Sequence, residues 1–246
     1  ELKESVIMKE LLFGLFALLV LAKSFAGSKE SFGKLIFEDS FERTESQELK
    51  DEPGNEWTTS SEKTAAGNKQ VDLVNGVMHM WKHKDANHAT STRHAFEFTD
   101  GTIGMRFKLD SEKDHLRLNF TDMELKTVHA GHLFDADIGI NDVSIEDKKT
   151  GSMDLVIRNA RKANAITDKQ LEMLKTKKRK FDHRLEKGVW HDLLVHVDAD
   201  TLVVIIDGKE AGRFRSEGIA HSSKTLLRLL VPGHAYIDDI KIWRRR

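Results

Sequence analysis

The stretch GVWHDLLVHVDADTLVVIIDGKEAGRF, residues Gly188 to Phe214, reads as strand, turn, strand, turn, strand. Its turns fall at Asp198-Ala199-Asp200 and Asp207-Gly208, and the runs between them are rich in the β-branched residues that suit a pleated sheet. Leu226–Val231 and Tyr236–Trp243 follow as two further strands, the second closing the chain.

Working outward, the same two-fold pattern runs back to the start of the folded region. Residues 35–41 form a short strand. QVDLVNGVMHMWKH is two strand-like runs joined by Asn75-Gly76, a dipeptide that favours a two-residue hairpin turn. HAFEFTDGTIGMRFKLD reads as another pair turning at Asp100-Gly101, with Ile103, Met105, Phe107 and Leu109 alternating against Thr102, Gly104, Arg106 and Lys108. Such alternation means one buried and one solvated or ligand-facing side. Leu116–Phe120 repeats it with Arg117 and Asn119 on the second side. Residues 134–140 and 143–147 read as a hairpin around Asn141-Asp142, and 153–158 as a further strand. One helix interrupts: Thr167 and Gln170 form a capping box, and the basic run Lys175–Lys180 ends it, complementing the helix dipole. About a dozen short strands with turn signals between them predict an all-β, two-sheet antiparallel sandwich with one short lateral helix. Prolines occur only at 53 and 232 and no linker separates halves, so residues 27–246 are expected to be a single domain.

The Gly188–Glu210 run resembles the G-x-W-H…D…V-x-V-D-G-K hairpins of concanavalin A-like lectin/glucanase domains. The closing Ile237–Trp243 is similar to their last strand, which returns beside the first. Phe37-Glu-Asp-Ser-Phe-Glu-Arg43 followed by Asn55-Glu-Trp57 resembles their D-x-F-x-R…W opening. The resemblance covers residues 35–243 and is nearest to exported planctomycete and verrucomicrobial jelly rolls, some named 3-keto-disaccharide hydrolases. It implies a concanavalin A-like jelly roll whose concave sheet often binds glycans. Laminarinase-type members carry a Glu-x-Asp-x-x-Glu strand, whose carboxylates flank a glycosidic bond. That spacing is absent here, and the nearest strand, Leu133–Asp137, holds aspartates only. The Asn-Ser-Gly strand and Glu-x-Gln motif of the keto-disaccharide hydrolases are also missing, which disfavours a retaining glycosidase.

Across 246 residues, 39% hydrophobic content supports a core, and a net charge of −1 gives nucleic acid no overall attraction. The absence of cysteine excludes disulfides, thiolate zinc sites and a cysteine nucleophile. From Met8 the chain reads as a secretory signal peptide: a lysine, an apolar run over 11–22, then Ser24-Phe25-Ala26 before a cut. That run is too short to span a bilayer. Residues 1–26 are therefore read as a signal peptide with an upstream extension, and the protein as periplasmic or secreted in a bacterial envelope, with no stable membrane span after cleavage. Mass spectrometry of the exported protein is expected to find Gly27 or its near neighbour as the first residue; a retained Met8 terminus refutes this.

The stretch TVHAGHLFDADIGI, Thr127 to Ile140, sets two histidines three apart and two aspartates two apart. On a strand, Asp135 and Asp137 share one side while Phe134, Ala136 and Ile138 point inward. His129 and His132 precede them around Gly131. The cluster reads either as a polar rim hydrogen-bonding the sheet or as a site in which His129, His132 and Asp137 do chemistry beside Arg106, Arg117, Asn119 and Asp135. Trp81, flanked by His79 and His83, reads either as core, since Val77 shares its side, or as a platform for a sugar ring; Trp57, Trp190 and Trp243 read as core and closing strand. No metal site is expected, because two histidines three apart off a helix do not converge on an ion. No cofactor is implied, and calcium has no motif behind it. Two functions follow: an exported module whose ligand is a polysaccharide or oligosaccharide, and a glycoside hydrolase-type enzyme acting on a (3-keto-)disaccharide or polysaccharide through His and Asp.

Overall fold

The computed structural model describes residues 32–246; the expected signal peptide and its cleavage point lie outside them. Lys34–Arg246 form one compact unit. Alternation places its apolar residues between two antiparallel sheets. The eight-stranded sheet runs β13 (Lys209–Arg215), β12 (Thr201–Ile206), β11 (His191–Asp198), β6 (Gly101–Lys108), β15 (His234–Arg244), β4 (Val77–Trp81) and β3 (Val71–Val74), with β1 (Lys34–Asp39) also on β15. The seven-stranded sheet runs β10 (Lys178–Asp182), β9 (Asp142–Asp147), β8 (His132–Gly139), β7 (His115–Thr121), β14 (Lys224–Val231), β5 (Thr90–Phe98) and β2 (Thr58–Thr59). Ile103, Met105, Phe107, Leu193, Val195 and Val197 of the first sheet, and Leu116, Leu118, Phe120, Phe134, Ala136, Ile138, Leu227 and Leu229 of the second, are fully buried. Each large side chain so covered stabilises the fold by about 1.5–3 kcal/mol relative to exposure. The fold is a jelly-roll sandwich, and its last strand lies beside its first.

The D-x-F-x-R…W opening is a hydrogen-bonded corner. Asp39 ends β1 with its carboxylate buried, and one oxygen accepts from the Phe41 amide (2.8 Å) and Arg43 Nη1 (2.7 Å). The other accepts from Arg43 Nη2 (3.0 Å) and Trp57 Nε1 (2.9 Å). Arg43 Nε also reaches the Pro53 carbonyl (2.7 Å). The motif therefore joins the first strand to the segment that leads into the opposite sheet.

Local turn chemistry holds where the neighbours are local. Asn75 (φ 53°) and Gly76 (φ 72°) both sit at positive φ, as a type I′ hairpin requires. Thr167 Oγ1 accepts from the Gln170 amide and Gln170 Oε1 from the Thr167 amide, the capping box of a helix over Asp168–Thr176.

Four readings are corrected. Residues 153–158 do not form a strand: Asp154 caps a helix, accepting from the Val156 (2.9 Å) and Ile157 (3.1 Å) amides, and only Ile157 of Leu155–Lys162 is buried. The β-branched pair Val156-Ile157 concealed that cap. The described residues hold three short α-helices rather than one: α1 (Ser61–Thr64), α2 (Leu155–Lys162) and α3 (Asp168–Thr176). The basic run does not simply end α3, since Lys178–Lys180 start β10, where lysines guard an exposed sheet edge. Finally, β5 and β6 turn at Asp100-Gly101 but do not pair with each other. Their apolar sides face one another across the core, so the turn is a corner between sheets. Asp100 fastens that corner by accepting from the Ala199 amide (2.9 Å) and Arg246 Nε (2.6 Å). A side chain on Gly101 would run into the Trp243 carbonyl, so only glycine lets β15 approach.

Candidate functional site

The register of the seven-stranded sheet lines up one polar row on its outer face. Thr58 stands opposite Arg93, Arg93 opposite Arg228, Arg228 opposite Asn119, Asn119 opposite Asp135, Asp135 opposite Glu146, and Glu146 opposite Lys178. At ~4.8 Å per strand the row spans about 29 Å. An adjoining row carries Ser91, Leu230, Arg117, Asp137, Ser144 and Lys180. The first row is exposed at its ends and buried at its centre, where Asn119, Asp135 and Arg228 lie beneath their neighbours.

At that centre the hydrogen bonds orient the polar groups. Asp135 is ion-paired with Lys148 and accepts, so the Asn119 amide turns its NH2 toward it. The Asn119 carbonyl oxygen then faces His132 Nδ1 at 2.8 Å, and His132 donates to it. His132 Nε2 is left as the acceptor for Arg228 Nη1 at 3.3 Å. Burial, with Arg228 and Lys148 nearby, pushes the His132 pKa down to about 3, so the ring is neutral at physiological pH. Asp135 also takes Lys148 Nζ at 3.1 Å and lies 3.7 Å from Arg117 Nε. Burial raises its carboxyl, and the pull of Lys148, Arg117 and Asn119 offsets this only in part.

Asp137 sits one step along β8. Its two oxygens meet His115 Nδ1 (3.3 Å) and Arg117 Nη2 (2.7 Å). Burial works to raise this carboxyl, but His115 and Arg117 outweigh it and hold it below the ordinary range. His115 reaches over β8 because its partner there is Gly139, where a side chain would meet the ring at 2.8 Å. Arg117 is therefore gripped from behind by two aspartates while its side chain remains 38% exposed. A guanidinium fixed in this way pays little ordering entropy when it engages a ligand.

The structure thus brings His132, Asp135, Asp137, Arg117 and Asn119 together. His129 stands at the edge, its ring 6.3 Å from His132 and its Nε2 3.2 Å from Arg158 Nη2. Arg106 and Trp81 are elsewhere. Both lie on the outer face of the eight-stranded sheet, because β6 and β4 belong to it. Arg106 approaches Asp238 (3.8 Å) and covers the ring of half-buried Trp190 (5.1 Å). Trp81 is half-buried beside His79 (5.0 Å between rings), and His79 stacks on Tyr236 (4.3 Å). Of the other tryptophans, Trp57 is core, whereas Trp243 is half-buried on β15. Lys148, Glu146, Arg228 and His115 complete the cluster without having been singled out in the sequence. Arg228 did carry a signal, as the one charge inside Leu226–Val231.

One group of three carboxylates among the described residues converges as a metal site would: Glu45, Glu48 and Asp72. Lys69 Nζ already sits among them, 2.9, 3.0 and 2.5 Å away respectively, and supplies the positive charge. No helix among the described residues is long and apolar enough to cross a membrane.

No known protein family matches the sequence, and no curated protein does. Solved structures do. A non-specific endo-β-1,3(4)-glucanase from family GH16 superimposes with a TM-score of 0.59 over 88% of this chain and 92% of its own, at 12% identity. LamA of Z. galactanivorans, in complex with laminaritriose and laminaritetraose, gives 0.55 at 13% identity, over 87% of this chain and 100% of its own. The carbohydrate-binding module CBM66 from Bacillus subtilis gives 0.50 at 9% identity, over 75% and 93%. The likeness is one of fold.

Proposed function

We propose that this is an exported carbohydrate-binding protein that holds a polysaccharide or oligosaccharide on the outer face of its seven-stranded sheet. The observation that carries the reading is the continuous cross-strand polar row, with half-exposed Arg117 fixed beside its buried centre in the adjoining row. Such a surface offers planar donors and acceptors at successive strand spacings, which suits the spaced hydroxyls of a sugar chain. In support, fold neighbours include a carbohydrate-binding module and a protein complexed with laminaritriose and laminaritetraose. Both aspartates are engaged by cations, which favours holding a ligand over cleaving one.

A second reading, hydrolysis of a (3-keto-)disaccharide or polysaccharide, has one observation in its favour. Asp135 and Asp137 share a face, and their surroundings drive one carboxyl up and the other down, as an acid and a base require. A glycan array followed by product analysis on every hit separates the two. Binding is expected, with Arg117→Ala weakening it about tenfold, the equivalent of one charged hydrogen bond, at a temperature where the variant is still folded, since losing a partner of buried Asp135 and Asp137 also lowers its melting temperature. Sugar release that disappears in Asp135→Asn would establish the hydrolase instead. An array without hits, or an Arg117→Ala protein that binds as well as the parent, removes the binding reading.

A further inference from the structure

Arg93 and Arg228 stand directly opposite one another on β5 and β14. Like charges in that position repel and destabilise a sheet. Arg228 is 8% exposed, and its Nη atoms reach only neutral acceptors: His132 Nε2 (3.3 Å), the Ala130 carbonyl (2.9 Å) and Met123 Sδ (3.1 Å). Its Nε is buried with no partner. Arg93 is half-buried and spends its Nε on Ser91 Oγ (3.2 Å). Neither guanidinium pairs with a carboxylate among the described residues. Three other cations of this face differ. Arg117 pairs with Asp137, Lys148 with Asp135 and Glu146, and Lys180 with Asp142. Two adjoining positions of the row therefore carry positive charge without a carboxylate partner, and His129, which Arg158 contacts, lies near enough to Arg228 to feel its charge. Half-buried Leu230 lies between Ser91, which accepts from Arg93, and Arg117.

We propose that Arg93, backed by the buried charge of Arg228, is an anion subsite that takes the carboxylate or sulfate group of an acidic sugar. The inference rests on the glycan reading for the sugar and on the arginine pair alone for the anion. An anion at Arg93 relieves the repulsion between the two arginines, and a planar guanidinium matches a carboxylate or sulfate in bidentate fashion. The substrate class is thereby narrowed from glycans at large to acidic polysaccharides.

Two measurements test it. The first is binding to alginate and its carboxyl-reduced form, and to κ-carrageenan and its desulfated form, which separates carboxylate from sulfate. At least one charged polymer should bind about tenfold tighter than its neutralised counterpart. Arg93→Gln should abolish the difference and Arg93→Lys keep part of it. The second is the melting temperature in sodium sulfate against sodium chloride at matched ionic strength, where the rise should be smaller in Arg93→Gln by the part that exceeds sulfate's general stabilising effect. Equal binding of charged and neutralised polymers, with a sulfate response unchanged by Arg93→Gln, overturns the subsite and leaves the glycan reading intact. An Arg93-dependent sulfate response without binding of any polymer overturns the glycan reading and keeps the anion site. Neither response overturns both.

Discussion

Replacing Asp39 with alanine is expected to cost about 3–5 kcal/mol of folding stability, the range for breaking one partner out of a buried ion pair. Asp39 accepts four hydrogen bonds from three residues. Its removal leaves the Trp57 indole N–H and the Phe41 amide buried without acceptors, each a desolvation cost of about 1–3 kcal/mol. The Arg43 guanidinium keeps its Pro53 carbonyl but loses its counter-charge. Asp39→Asn retains a carbonyl acceptor and should lose less. Urea titration of the two variants checks the order and the size. A loss below about 1 kcal/mol for Asp39→Ala would show that the corner is peripheral to stability.

Acidification should loosen the candidate site through His132. The folded protein refuses the proton until about pH 3, whereas the unfolded chain binds it near the ordinary 6.5. Between those values the unfolded state carries more protons, so stability is full above pH 6.5 and falls as the pH drops through the window. From pH 6.5 to pH 5 the loss amounts to about 2 kcal/mol. The cause is first the burial of the ring and then its neighbours: Arg228, Lys148, His129 and Arg117 are all cationic or basic, and Asn119 already uses Nδ1. A proton on Nε2 would face Arg228 instead of accepting from it. His132→Gln, titrated with urea alongside the parent at several pH values between about 5 and 7.5, should lack this component of the pH dependence. Parallel curves would mean that the ring accepts its proton without strain.

Much of the fold was legible because its determinants are local. The period-two alternation of Leu116, Leu118 and Phe120 against Arg117 and Asn119 sets which side chains enter the core, whatever the neighbouring strands. Asn75-Gly76 and Thr167…Gln170 carry their own backbone geometry. Where two local signals competed, the sequence misled: Asp154 caps a helix through a pair of amides that the apolar run Leu155–Ile157 had marked as strand.

Neighbourhood across the sheet was not legible, and the candidate site is made of neighbourhood. Arg106 and Arg117 look alike in sequence, each a lone arginine on the polar side of an alternating strand. The corner at Asp100-Gly101 sends β6 to one sheet while β7 joins the other, so the two arginines end on opposite outer faces. Arg93 and Arg228 are 135 positions apart, yet register sets them face to face. Composition and alternation determined that this chain buries its apolar residues between two β-sheets and presents charges outward. Only the tertiary structure decided which charges meet, because strand order and register depend on the packing of the whole sandwich rather than on any strand alone.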